Sequence, residues 1–222
     1  MDNSQIKDNV EKAYDNIADT YLSWTENTFA SRLSYLTRLL ALLPTPSDEK
    51  PISILELGCG AGVPVTQTLA SNPHIRITAN DISSAQIALA RKHLPESVRL
   101  IQGDMMDIHF QPEELDAVVG MYSISHLPRE EQTTMLQRIM QWLKPGGRLL
   151  MNFAERESAA HTDETWLGGS EGGMYWSAWG AEGTRGVLKQ LGYEIEIDEV
   201  VQDDERGKLV GFLWIVAKKP CP

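Results

Sequence analysis

Ile54-Leu-Glu-Leu-Gly-Cys-Gly-Ala-Gly-Val63 decides how this chain folds. A short apolar run breaks into glycines at alternate positions, Gly58, Gly60 and Gly62. Glycine permits the backbone of a tight turn and the close approach of a ligand to the main chain. A helix that follows such a turn offers unpaired N–H groups to an anion. The dinucleotide fingerprint G-x-G-x-x-G requires glycine at the position held by Val63, so the loop suits a nucleoside better than a pyrophosphate. The alternative is a glycine-rich turn that binds nothing.

Outward from this turn, apolar runs recur. Residues 52–57, 75–80, 98–102, 115–121 and 148–153 read as strands, several apolar on successive positions, as strands covered on both faces must be. Helix signals lie between them. Ser83-Ser-Ala-Gln86 has the form of a capping box ahead of Ile87, Ala90 and Leu94. Pro128 suits a first helical turn ahead of Met135, Leu136, Ile139, Met140 and Leu143, and Pro145-Gly146-Gly147 stops that helix. The alternation predicts an α/β fold, a doubly wound and mostly parallel sheet with right-handed crossovers. Further on, Leu188 and Leu191 end a helix at Gly192. Strands over 193–201 and 209–218 follow, joined through Asp203-Asp-Glu-Arg-Gly207, a turn so short that the pair is antiparallel.

Before residue 52, Ile6, Val10, Ala13, Ile17, Tyr21 and Trp24 form one helical stripe, and Phe29, Leu33, Leu36, Leu40 and Leu43 a second. Residues 1–44 are therefore expected as a helical cap belonging to the same domain as residues 45–222. The chain has 222 residues, 42% hydrophobic and 23% charged, which provides for a large core. The net charge of −11 repels phosphate backbones, so no nucleic-acid partner is expected. No apolar run approaches the ~20 residues that span a bilayer, and residues 1–14 lack a signal peptide's apolar region. A cytoplasmic protein, free of membrane, monomeric or homodimeric, is the expectation. Cys59 and Cys221 compose neither a disulfide framework nor a zinc site, and no metal is expected.

In such a sheet the ligand lies beyond the carboxyl ends of the strands. Asp81, at the end of the second run, is placed to accept both hydroxyls of a ribose; a helix-start aspartate is the plainer alternative. In Gln102-Gly-Asp-Met-Met-Asp107, Asp104 can accept from an exocyclic amine, and Met105 offers a soft surface to a purine. A polar turn with core methionines would look the same.

Four motifs in order, Glu56-Leu-Gly-Cys-Gly-Ala-Gly62, Asn80-Asp81-Ile82, Gly103-Asp104-Met105 and Leu143-Lys-Pro-Gly-Gly-Arg148, resemble those of the class I S-adenosylmethionine-dependent methyltransferases of the small-molecule type. The resemblance covers about residues 52–218, and Tyr14-Asp-Asn-Ile-Ala-Asp-Thr-Tyr21 is similar to the family's N-terminal cap. It implies a Rossmann-like seven-stranded sheet with the last strand antiparallel, and S-adenosylmethionine as cofactor. It further implies that Gly58, Gly60 and Gly62 line the methionine half, with Glu56 fixing the loop and reaching toward the amino group. Asp81 would hold the ribose, Ile82 and Met105 would sandwich the adenine, and Asp104 would bind its amine. Met121 and Tyr122 would lie under the sulfonium, with Tyr14 and Tyr21 over the carboxylate end.

Methyl transfer is an in-line displacement that needs an aligned acceptor, a dry site and, for a protonated acceptor, a base. His126, after the fourth strand, is the first choice for base or orienting group, since imidazole titrates near neutrality; Glu155 is the second. An insertion at about 155–179, with Trp166, Tyr175, Trp176 and Trp179 between glycines, suits a lid over a small, hydrophobic organic acceptor. Trp24 can meet it from the N-terminal side, and His161 lies within it. A nicotinamide oxidoreductase is disfavoured by Val63 and by the lack of a Tyr-x-x-x-Lys pair. A protein of this fold that binds the cofactor without methyl transfer, as an interaction module or rearrangement catalyst, remains the main alternative.

Overall fold

Apolar residues on successive positions need partners on both sides of a sheet, and the strands meet that need. The computed structural model describes residues 2–205 and 207–221. Strands β1 (Ile52–Leu57), β2 (Ile75–Asp81), β3 (Arg99–Gln102), β4 (Leu115–Gly120) and β5 (Leu143–Ala154) are parallel. A separate hairpin, β6 (Glu157–Asp163) with β7 (Met174–Trp179), precedes β8 (Glu194–Glu205) and β9 (Lys208–Lys218). The main sheet runs β3-β2-β1-β4-β5-β9-β8, and β9 is antiparallel to both of its neighbours. This is the expected seven-stranded, doubly wound sheet with its last strand reversed. The order reverses direction between β1 and β4, which places a crevice above the glycine turn.

Neighbouring residues of one strand serve opposite faces. Leu55, Val118 and Met151 feed one core, with Leu136 and Ile139. Ile54, Val119 and Leu150 feed the other, with Leu69 and Trp214. Removing a side chain such as Leu55 from sites this closed costs about 2–5 kcal/mol.

Helix α1 (Asn3–Thr25) starts at Asp2, whose carboxylate accepts from the Gln5 N–H, and it buries Ile6, Val10, Ala13 and Ile17 as the stripe predicts. In α2 (Phe29–Leu42) the buried face is rotated from the expected one. Arg32, Tyr35, Leu36 and Leu39 point inward, whereas Phe29, Leu33 and Leu40 are half-buried. Two ring contacts set this rotation: Tyr35 stacks on buried Trp214 with centroids 4.2 Å apart, and the Arg32 guanidinium lies 4.5 Å over Tyr122. Helices α3 (Val65–Ala70), α4 (Ser84–His93), α5 (Arg129–Trp142) and α6 (Gly180–Gln190) cover the sheet. Pro128 caps α5 from one position outside its first turn. Ser83 caps α4 by accepting from the Gln86 N–H at 3.1 Å, but the Gln86 side chain stays free instead of closing the box.

Two readings are corrected. The β8–β9 ladder continues to the pair Glu205–Lys208, so the turn is tighter than the stretch from Asp203 to Gly207; Arg206 within it lies outside the described residues. The insertion, read from sequence as an irregular segment, forms an antiparallel hairpin. Its strand β6 is polar and gave no apolar signal. A lone two-stranded hairpin is marginal in water, but Met174 and Tyr175 anchor this one against Ile6, Val10, Ala13 and Ile17 of α1. Among the described residues no helix is long and apolar enough to cross a membrane.

Candidate active site

The glycine turn is built by backbone geometry that side chains would spoil. Gly58, Gly60 and Gly62 have φ of +69°, +55° and +79°. A Cβ on Gly58 would lie 2.3 Å from Ser123 Cβ, and one on Gly62 would lie 2.6 Å from Leu94 Cδ1. Gly62 therefore serves helix packing, while a Cβ on Gly60 would make only ordinary contacts, 3.7 Å from Gln86 Oε1 and 3.9 Å from the Tyr21 ring. The Gly60 N–H donates to Asp81 Oδ2 at 2.8 Å, and the Ser83 N–H donates to Oδ1 at 2.9 Å. Each carboxylate oxygen keeps a lone pair for a ligand. Burial pushes the Asp81 carboxyl up to about 6, so it is a desolvated acceptor. His93, half-buried, donates from Nδ1 to the Ala61 carbonyl at 2.9 Å and steadies the far side of the turn.

Above the turn is a cavity lined by Tyr14, Tyr21, Gly58, Gly60, Asp81, Ile82, Asp104, Met105, Tyr122 and His126. Lys7, Asn80, Gln86 and Ser123 add polar groups to the lining and were not singled out as binding residues by the sequence. Asn80 Oδ1, both amide atoms of Gln86 and Ser123 Oγ are buried without a hydrogen-bond partner. Buried polar atoms almost always have partners, so four such atoms around one cavity mark a place for a polar ligand.

Asp104 is engaged: Oδ1 accepts from the Met106 N–H at 2.9 Å and Oδ2 pairs with Lys7 at 2.6 Å. Burial opposes the Lys7 ammonium, but its hydrogen bonds to Asp104 and Glu131 outweigh this and raise its pKa. Three expected cofactor residues do not line the cavity. Gly62 packs on Leu94, and Met121 is buried in the core with Ile54 and Val119. Glu56 lies behind the turn, where Oε2 accepts from Thr66 Oγ1 at 2.5 Å and burial pushes its carboxyl up to about 7.

Tyr122 holds a left-handed backbone, φ +57°, a conformation costing about 1–3 kcal/mol outside glycine. Its N–H donates to Asn152 Oδ1 and its hydroxyl to Asp203 Oδ2, both at 2.6 Å. Arg32 covers the ring. The Arg32 Nε donates to Thr28 Oγ1 at 2.9 Å, and Arg32 lines a small recess with Tyr21, Thr25, Gly58 and Ala61 and forms no ion pair among the described residues. An arginine inside a stripe of Arg32, Leu36, Leu39 and Leu43 was the available sequence signal.

His126 is gripped from both sides. The Tyr175 carbonyl lies 2.8 Å from Nδ1 and the Tyr14 hydroxyl 2.8 Å from Nε2. A carbonyl only accepts, so Nδ1 carries the proton and Nε2 accepts from Tyr14. Burial lowers the imidazole to about 4, so it is neutral at pH 7.

A second cavity shares Tyr14, Tyr21, Tyr122 and His126 as a wall with the first and is otherwise lined by Trp24, His161, Trp166, Trp176 and Phe212, among others. Trp24 and Trp176 both meet Trp166 edge-on at 5.4 Å. Three expected residues are elsewhere. The Tyr175 ring is buried against α1, and Trp179 donates from Nε1 to the Arg129 carbonyl with the Arg129 guanidinium over its ring. Glu155 lies across Gly211 of β9 and accepts from Gln202. A strand alternates its faces, which the reading of a loop could not separate.

A family model described as a methyltransferase domain matches residues 54–147. The chain is 31% identical over 154 residues to a malonyl-[acyl-carrier protein] O-methyltransferase of Priestia megaterium, covering 68% of this chain and 52% of that protein. It is 27% identical over 111 residues to a tRNA N(3)-methylcytidine methyltransferase of Schizosaccharomyces pombe, covering 46% of this chain and 44% of that one. The chain thus spans about half the length of these curated relatives. Its fold is similar to that of Burkholderia thailandensis 1,6-didemethyltoxoflavin-N1-methyltransferase, with a TM-score of 0.72 at 16% identity over 99% of this chain and 91% of that one. With a relative named for tRNA among the matches, the family gives no ground for excluding a nucleic-acid acceptor.

Proposed function

We propose, for a chain that belongs to the class I S-adenosylmethionine-dependent methyltransferases, the transfer of a methyl group from S-adenosylmethionine to a small organic acceptor in the tryptophan-lined cavity. The observation that carries this reading is the shared wall: Tyr14, Tyr21, Tyr122 and His126 separate a cavity with orphaned polar atoms from an aromatic one. When bound, the cofactor supplies an electrophilic methyl on a sulfonium, and the electron pair of the broken C–S bond stays on sulfur.

The residues fit it. Asp81 would accept the ribose hydroxyls, and Ile82 and Met105 would flank the base. Asn80 and Gln86 would meet polar atoms that they lack in the protein alone. Asp104 would share its carboxylate between Lys7 and the adenine amine. The free edge of Arg32 suits the cofactor's carboxylate, a charge-assisted pairing. Aromatic faces of Tyr14, Tyr21 and Tyr122 suit a sulfonium. Neutral His126, fixed by Tyr14 and the Tyr175 carbonyl, would orient the acceptor across the wall and exclude water.

Incubation with methyl-labelled S-adenosylmethionine and a cell extract separated by size tests the assignment. Label in small organic products is expected; label confined to RNA or protein would contradict the small-molecule acceptor.

A further inference from the structure

The second cavity has a chemistry of its own. Three indoles, Trp24, Trp166 and Trp176, stand with successive rings near right angles, interplanar 76° and 83°. They present faces and edges around one space instead of a single flat slot. Aromatic faces carry negative potential and attract cations, more so where water is excluded. Two carboxylates, Asp163 and Glu205, line the same space. Asp163 spends Oδ1 on the Thr165 N–H and hydroxyl. Glu205 is half-buried, and among the described residues its carboxylate makes no hydrogen bond or ion pair; burial and the Asp203 charge push its carboxyl up against the opposing charge of Lys208, its cross-strand neighbour. Lys208 is the one lysine or arginine among the described lining residues; it is exposed and makes no ion pair with Glu205 within 4 Å. The balance at this cavity is therefore negative.

The proton chemistry points the same way. A hydroxyl acceptor needs a base at the shared wall, and the one imidazole there is lowered to about 4 with both nitrogens engaged. An amine held as its ammonium is far more acidic than a hydroxyl and first releases one N–H proton to water, which frees the lone pair without a protein base. The N–C bond then forms, the donor's S–C bond breaks with its electrons left on sulfur, and the positive charge returns to nitrogen, so the product is again a cation.

We propose that this cavity recognises a nitrogen cation, so that the acceptor is an amine-bearing organic molecule held by the Trp24–Trp166–Trp176 box with Asp163 and Glu205 as counter-charges. This rests on the methyltransferase reading only in calling the occupant an acceptor; the charge preference stands by itself. Tryptophan-fluorescence titrations with trimethylphenylammonium and its neutral isostere tert-butylbenzene test it, each with and without S-adenosylhomocysteine. The cation is expected to bind about tenfold more tightly. Glu205→Gln combined with Asp163→Asn should cut that preference at least threefold, on the order expected for lost counter-charges, with folding checked by thermal melting. Equal or tighter binding of the neutral isostere would overturn the inference even if S-adenosylhomocysteine binds. Failure of S-adenosylhomocysteine to bind would instead undo the functional reading, leaving the cation preference to be decided by the titrations without it. If the double variant does not fold, Trp166→Leu replaces it: loss of the cation's advantage supports the box, and its retention overturns it.

Discussion

Asp81, Asp104 and His126 were legible as single residues because each stands at or beyond the carboxyl end of a strand of the sheet, where topology directs side chains to the crevice. Arg32 and Lys7 were not, since they reach the site from helix faces whose rotation is set by tertiary contacts with Tyr122 and Asp104. Arg32→Met keeps the stem and removes the donors. It should weaken S-adenosylhomocysteine by about 1.5–3 kcal/mol in calorimetry; an unchanged affinity would leave the guanidinium a packing group. His126→Ala should lower turnover far more than cofactor affinity, and equal losses would make it structural. Glu56 carries a pH signature. Its folded-state carboxyl, near 7 against an ordinary 4.5, holds its proton longer than in the unfolded chain. Its contribution is therefore complete below pH 4.5 and is lost as pH rises through about 7. Glu56→Gln should abolish a loss of up to about 3 kcal/mol over that range, at ~1.4 kcal/mol per unit, read as urea stability at pH 5 and pH 8. His126 acts oppositely: its folded pKa of about 4 against 6.5 costs stability as pH falls, so the wild type minus variant difference isolates Glu56.

At the scale of elements, β4 announced itself through consecutive apolar residues, β1 and β2 through short apolar-rich runs, and β8 and β9 through the length of their connection. The β6–β7 hairpin did not. Glu157–Asp163 is polar because it is an exposed edge, and only its pairing with β7 and the docking of Tyr175 on α1 make it a strand. That docking also fixes the Tyr175 carbonyl that orients His126, so the hairpin supports the shared wall from behind. Gly172 joins the two, with φ +72° and space for no Cβ, which would lie 2.3 Å from the Asn9 carbonyl oxygen. Gly172→Ala should cost more than about 1 kcal/mol and speed amide exchange in β6, β7 and α1, leaving β1, β4 and β5 protected. Uniform acceleration across the main sheet would show that the hairpin is not a separate unit of opening.

The whole molecule places a polar-lined cavity and an aromatic one on either side of four residues drawn from α1 and the segment that follows β4. The N-terminal helices are thus part of the site: Tyr14, Tyr21, Trp24, Lys7 and Arg32 all come from them. The first cavity bears the central claim, and Asp81 is its test. Calorimetric titration of the folded protein with S-adenosylhomocysteine should give saturable heat, and Asp81→Ala should weaken that binding by about 1–3 kcal/mol. No heat from the wild type, or an affinity indifferent to Asp81, would contradict the account.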